Sequence, residues 1–324
     1  STRAGNVSMI GSVHRSRWPR SPGTPAPRRA PEEPHHESRH TTGRCPGEQG
    51  LASTRPRRAV TESAVSQPGP PRVDEQLLAD AIEIAEGAAA LTRTWFQRAD
   101  LAIDRKADGS EVTAADRAAE AFVRERVRAM YPDDTIIGEE GDDMLGTSGR
   151  RWIVDPIDGT TSFVRGVPLY STLLAVIDEH GPAVGVVIIP ALDERVTAGR
   201  GRGCLHNGSP TSVSTISDLA DACISSSAFD GSWWPRNALL AVSASGSKTR
   251  TWGDGYGYFL VATGRIEAMV DPALNTWDIA PMLTVIPEAG GTLTTWSGTT
   301  ALEQGAGWVA TNGLLHQPVL DLLT

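Results

Sequence analysis

Cysteine is scarce in this chain. Among 324 residues there are three, Cys45, Cys204 and Cys223, widely spaced, with no CxxC pair and no metal-ligand spacing. That usage argues against a disulfide framework or a zinc site and fits a reducing compartment, so a cytoplasmic protein is expected. Long apolar runs are missing too. None approaches the roughly 18 residues of a membrane span, and no membrane partner is expected. No internal repeat of solenoid period appears. Net positive charge is also lacking: the formal charge is -9. It is unevenly spread, because residues 1–72 hold 12 Arg against 5 Glu, about +7, which leaves about -16 for the rest. An acidic body argues against nucleic acid as a partner. For an anionic substrate, something other than surface lysine must offset that charge, and a bound metal ion would do so.

Two composition regimes follow each other. The stretch from 1 to about 70 is rich in Pro, Ser, Arg, His and Gly and has no period of 2 or 3.6. It cannot bury enough apolar surface to offset its ordering entropy, so a disordered tail without catalytic role is expected. Its Arg content resembles a transit sequence, but the glutamates and histidines at 32–37 count against one. From Val73 onward the pattern becomes regular. Apolar residues at helical spacing run through "VDEQLLADAIEIAEGAAALTRTWF", and Thr113 reads as the cap of a second helix that Pro132 ends. Strand signals dominate from 152: "RWIVD", "STLLAVID", "AVGVVIIP", then a hairpin at Asn207-Gly208. A helix closed by Gly264, the strand "EAMVD", a helix over "TWDIAPMLTVIPEAGG", and a last strand and helix complete the reading. Strands and helices mix without strict βαβ alternation, which favours a layered α/β or α+β sandwich.

Acidic residues stand where hydrophobic elements end. Glu139 and Glu140 follow "TIIG", Asp155 and Asp158 flank "PI", Asp278 begins a helix, and Asp116 lies in the first turn after Thr113. Singly, each has an ordinary reading as a turn, a solvated loop or a cap. Carboxylates that converge repel one another, and a divalent cation resolves the conflict. An all-oxygen ligand set favours Mg²⁺ over Zn²⁺. In D-P-I-D-G-T-T, Pro156 is expected to turn the chain so that Asp155 and Asp158 face one pocket, with the Ile157 carbonyl as a further ligand. Gly159 allows close backbone approach, and Thr160 and Thr161 open a helix whose N–H groups suit a phosphate. Metal carboxylates beside a phosphate seat point to metal-assisted phosphoryl transfer to water.

"GEE", "WIVDPIDGTTSFVRGVP" and "WDIAPMLTVIPEAGG", in that order, resemble the inositol monophosphatase family of Mg²⁺-dependent, lithium-sensitive phosphatases. The resemblance spans about 73–324. It implies an αβαβα layered sandwich like that of fructose-bisphosphatases, a phosphoric monoester hydrolase, two or three Mg²⁺ per site (or Mn²⁺ in their place), and a homodimer. By position it places a first metal on Glu139, Asp155 and the Ile157 carbonyl, and a second on Asp155, Asp158 and Asp278. A weaker third falls on Glu139 with Asp116 through waters, with Glu140 as an accessory. Gly159 and Thr160 would bind phosphate through backbone N–H, and the Thr160 hydroxyl would orient the attacking water. The implied organisation is a tail over 1–70, a metal-carrying α+β half over 71–210, and an α/β half over 211–324 with Asp278 and the substrate pocket. Cys204 and Cys223 would be packing residues.

Within the family, "KADGSEVTAADRAAE" and "RTWGDGYGYFLVATGRIEAMVDPALNTWD" resemble the histidinol-phosphate phosphatases more than the inositol enzymes. Asp254 and Asp271 would then flank the leaving group and suit a cationic alcohol; alternatively Asp254 merely caps the following helix. Trp252 and Asn275 would shape the same pocket. Gly255, where a larger residue is expected, and Pro281, close behind Asp278, depart from the pattern. The competing readings are a broader inositol- or sugar-phosphate phosphatase, a non-catalytic binding protein on the same fold, and a nucleic-acid module resting on the Arg-rich tail.

Overall fold

The computed structural model describes residues 69–106, 109–229 and 234–324, so the tail expected over 1–70 lies outside the described residues as far as 68. The body begins with α1 (Glu75–Trp95), an antiparallel pair β1 (Ile103–Arg105) and β2 (Glu111–Thr113), and α2 (Ala114–Met130). Then come β3 (Thr135–Gly138), β4 (Arg151–Asp158), the short α3 (Thr160–Val164), β5 (Ser171–Asp178), β6 (Gly181–Ile189), β7 (Glu194–Gly199), β8 (Gly203–His206) and β9 (Ser209–Pro210). The remainder comprises β10 (Cys223–Ser225), α4 (Arg236–Ala244), β11 (Lys248–Arg250), α5 (Asp254–Ala262), β12 (Ala268–Asp271), α6 (Thr276–Ile279), α7 (Met282–Glu288), β13 (Thr292–Thr295), β14 (Trp308–Thr311) and α8 (His316–Asp321). Local chemistry explains several boundaries. Asp74 Oδ1 accepts the Gln76 and Leu77 amides at the start of α1, and Thr113 Oγ1 accepts the Ala115 amide at the start of α2. Asn207 and Gly208, both at positive φ, make the two-residue turn between β8 and β9.

Strands β3 to β9 form one sheet in sequence order, antiparallel except for the β3–β4 pair. Its central strands read as unbroken apolar runs because both faces are covered. Leu174, Val176, Val184 and Val186 turn to α1 and α2, while Leu173, Val187, Val196 and Ala198 turn to α5 and α7. The second sheet has the order β11-β10-β12-β14-β13. Met269, Trp308 and Ala310 face α5 and α7 from it, and Ala268, Val270 and Val309 face α4 and α8. The layers are therefore helix, sheet, helix, sheet, helix, the αβαβα sandwich. The described residues from 69 to 324 belong to one compact unit.

The stretch 276–291 is not one helix. Pro281 has no N–H to return to the Trp277 carbonyl, so α6 stops at Ile279 and α7 begins at Met282. Ala280 fills a small cluster with Ile153, Ala175 and Ile177, which seats α6 against β4 and β5. The corner sits directly on β6 at Gly185. A Cβ there would overlap the Pro281 carbonyl oxygen and lie 2.9 Å from Val285 Cγ2. Gly185→Ala should therefore cost about 1–3 kcal/mol of stability, as overpacking of a filled core does. A denaturation midpoint equal to wild type would contradict this close approach.

Candidate active site

Strand β4 carries the first two acids. Asp155 pairs with Leu173 of β5 and Asp158 pairs with Ser171, so three steps along β4 match two along β5. One residue is extra, and the strand bulges. Without the bulge, period-2 alternation would send Asp155 and Asp158 to opposite faces. With it, both face the α5–α6–α7 layer. The expected turn at Pro156 is thus a bulge within a strand that continues to Asp158. Thr172 Oγ1 fastens it by donating to the Pro156 carbonyl at 2.9 Å.

Helix α6 brings Asp278 to the same place. One oxygen each of Asp155, Asp158 and Asp278 lies within 4.8 Å of the others. One oxygen of each acid is tied to a donor. Asp155 Oδ1 accepts Ile157 N at 3.0 Å, Asp278 Oδ2 accepts Asn275 N at 2.8 Å, and Asp158 Oδ2 accepts Gly255 N at 2.6 Å and the Ser171 hydroxyl. Asp116 shows the same arrangement at the edge of the cluster. Its Oδ2 accepts Thr113 N at 2.9 Å and Thr113 Oγ1 at 2.6 Å, while its buried Oδ1 has no hydrogen-bond partner.

Burial and mutual repulsion raise these acids. Asp155 goes well above the usual range through burial and the charges of Glu139, Asp158 and Asp278. Asp158 does so through burial and Asp254 and Asp278, against its bonds from Ser171 and Gly255. Asp278 is pushed up to about 7, by burial first and then by Glu139, Asp254 and Asp271, against the Asn275 bond. Asp116 also rises, mainly by burial. Buried carboxylates that converge and oppose one another fit a hard divalent cation.

Lys106, which the sequence reading did not single out, reaches into this site. Its Nζ lies 2.7 Å from Glu139 Oε1 and 2.8 Å from Glu140 Oε1. Burial lowers the ammonium's pKa, but the two glutamates outweigh it and raise it. Glu140 is pushed up to about 7 by burial, against Lys106. The Glu139-Glu140 turn is clamped from below, where Glu120 accepts Glu140 N at 2.8 Å and Arg124 holds the Gly141 and Asp142 carbonyls. Gly159 stands at φ 79° before α3, and Thr160 Oγ1 donates to the Ile157 carbonyl at 3.0 Å.

Beside Asp278 opens a cavity of about 250 Å³, lined by Ser227, Ala228, Asp254, Asp271, Pro272, Ala273 and Leu274. Asp271 is held on both oxygens, by Ser227 N at 2.9 Å, Ser226 Oγ at 3.3 Å and the Tyr258 hydroxyl at 3.2 Å. Asp254 is not a cap. It is the first residue of α5, at φ 54°, and its side chain makes no capping bond; Gly253 precedes it as N-cap. Its carboxylate approaches Gly159, where a Cβ would lie 2.8 Å from Asp254 Oδ2. Burial and the charge of Asp271 push Asp254 up to about 6. Trp252 and Asn275 do not line this cavity: Trp252 is exposed under the Arg250 guanidinium, and Asn275 caps α6. A residue larger than glycine does not fit at 255, where a Cβ would overlap Ser171 Oγ. Cys204 is buried with its thiol pushed up to about 12, and Cys223 is also raised by burial.

The family model for inositol monophosphatases matches residues 73–323. The chain belongs to the inositol monophosphatase family. It is 41% identical over 252 residues to a histidinol-phosphatase of Mycobacterium tuberculosis, covering 75% of this chain and 96% of the relative. A histidinol-phosphatase of Chlorobaculum parvum is 39% identical over 242 residues, covering 74% and 93%. Among solved structures, the Thermotoga maritima IMPase matches with a TM-score of 0.70 at 30% identity, over 76% of this chain and 96% of that one. No helix among the described residues is long and apolar enough to cross a membrane.

The raised acids give a testable sign. Asp278 holds its proton to about pH 7 in the folded chain, against 3.8 ordinarily. The folded state therefore binds more protons than the unfolded one, and these acids cost stability as pH rises from about 4 to about 7. A divalent cation replaces those protons. Mg²⁺ should raise the melting temperature more at about pH 8 than at about pH 5. Equal stabilisation at both would contradict a metal seated on this cluster.

Proposed function

We propose that the protein is a Mg²⁺-dependent phosphatase that hydrolyses histidinol phosphate. The observation that carries this reading is the acidic cavity: Asp254 and Asp271 face a pocket that also contains Asp278 of the metal cluster. Phosphate and cationic alcohol would thus be read by adjoining parts of one site. Histidinol carries a primary ammonium and an imidazole, whereas inositol is neutral. An ion pair at 4 Å is worth at most about 4 kcal/mol at an effective dielectric of 20 before desolvation. A quarter of that already tilts selection severalfold. The two histidinol-phosphatase relatives support the same substrate. An inositol- or sugar-phosphate phosphatase is the second reading, favoured by the match to the Thermotoga enzyme.

Glu139, Asp155, Asp158, Asp278 and the Ile157 carbonyl would hold two Mg²⁺, with Asp116 on a third; Mn²⁺ suits the same oxygens. When bound, such cations polarise phosphoryl oxygens and make a water acidic enough to act as nucleophile. The chain's own groups do the rest. Gly159 and Thr160 offer backbone N–H groups to the phosphate beside the cluster. The Thr160 hydroxyl helps orient the attacking water, and the unpartnered Asp116 Oδ1 is placed to receive its proton. Asp254 draws the cationic end of the substrate into the cavity. Residues 71–210 supply most metal ligands, and 211–324 supply Asp278 and the substrate pocket. A cytoplasmic homodimer is the form in which we expect it to act.

The test is phosphate release with Mg²⁺ from histidinol phosphate and inositol phosphate side by side. Histidinol phosphate should be the better substrate of the wild type. Asp254→Asn keeps size but removes charge. It should lower kcat/KM for histidinol phosphate by about 1–3 kcal/mol, roughly 5- to 150-fold. Turnover of inositol phosphate should change much less. An equal fall for both would mean that Asp254 is structural and would return the broader phosphatase reading to first place.

A further inference from the structure

Asp158 is held differently from its neighbours in the cluster. Asp155 and Asp278 each have one oxygen tied to a single backbone amide. Asp158 Oδ2 accepts both the Gly255 amide, at 2.6 Å, and the Ser171 hydroxyl. Ser171 is fully buried at the head of β5 and pairs in register with Asp158 across the bulge. Gly255 completes the fit, because a Cβ there would overlap Ser171 Oγ and lie 2.7 Å from Asp158 Oδ2. The hydroxyl uses the space that any side chain at 255 would fill. The next residue, Thr172, ties the Pro156 carbonyl. Consecutive hydroxyls on β5 therefore fasten consecutive parts of the bulged segment of β4.

We propose that Ser171 is a positioning residue for the metal site. With the Gly255 amide it commits Asp158 Oδ2 to the protein and leaves Oδ1 for the cation shared with Asp155 and Asp278. This rests on the divalent-metal reading above. The physical need is clear from the surroundings. Asp158 faces Asp155, Asp278 and Asp254 with like charge, and an untied carboxylate would swing away from them. Two donors on one oxygen resist that swing. A hydroxyl does so without adding a positive charge that would compete with the cation. The assignment also accounts for glycine at 255, whose amide and absent side chain both serve Asp158.

The test is Mg²⁺ binding by calorimetry to the full chain, with kcat measured at saturating Mg²⁺. Ser171→Ala should weaken Mg²⁺ affinity about 10- to 100-fold, as loss of a ligand's supporting hydrogen bond does. Its kcat at saturating Mg²⁺ should stay within about 3-fold of wild type, because the ligands themselves remain. Ser171→Cys, nearly isosteric with a weaker donor, should fall between the two and guards against a misfolded alanine variant. Wild-type affinity in a folded Ser171→Ala would overturn the proposal alone. A fall in kcat at saturating Mg²⁺ as large as the fall in affinity would overturn it in favour of general structural damage. A wild-type chain that binds no Mg²⁺ would overturn the metal reading, and the proposal with it.

Discussion

Repulsion between buried carboxylates is the constraint on which this structure turns. Asp155, Asp158 and Asp278 present oxygens within 4.8 Å of one another, and Asp254, Asp271 and Glu139 add like charge around them. At an effective dielectric of 20, one such pair at 4 Å costs about 4 kcal/mol. A fold of ordinary stability holds only about 5–15 kcal/mol in total, so it cannot keep several such pairs ionised without an opposing charge. Protons supply that charge at low pH and a divalent cation supplies it at higher pH. Each of the three acids also ties one oxygen to a protein donor, which fixes the plane in which its carboxylate would meet a cation.

The layers exist to hold this arrangement rigid. The large sheet is buried on both faces, so β4 cannot slip, and its bulge sends two acids to one side. The proline break between α6 and α7 brings Asp278 down onto that side, and the absent side chain of Gly185 lets the corner seat. The N-terminal residue of α5 closes the site from the other direction. There Gly255 serves Asp158 through its amide while Asp254, one residue before, faces the cavity. Metal seat and substrate pocket thus share a single turn of backbone.

Much of this was legible in the sequence because it depends on local chemistry. Thr113 capped its helix, Asn207-Gly208 made its hairpin, and the apolar runs at 171–178 and 183–189 were buried strands. The acids were visible because carboxylates at the ends of apolar runs need a reason. What stayed hidden depends on partners far along the chain. A bulge exists only relative to the strand beside it, so D-P-I-D read as a turn. Ser171 looked like an ordinary strand residue until its pairing with Asp158 was known. Lys106 gave no signal because its target glutamates lie more than thirty residues away. Gly255 looked anomalous only while Ser171 was out of view. The order of the second sheet was equally out of reach, since β11 joins an edge and β13 pairs with β14 at the other.

The central claim is that the carboxylates converge to hold a divalent cation. Crystals grown with Mn²⁺ and measured at its absorption edge test it most directly, because anomalous density locates the ion without regard to activity. The account predicts a peak bonded to carboxylate oxygens of Asp155, Asp158 and Asp278, with Asp158 Oδ2 still on Gly255 and Ser171. Saturating Mn²⁺ with no peak among these three acids, or a peak only elsewhere on the chain, would contradict it.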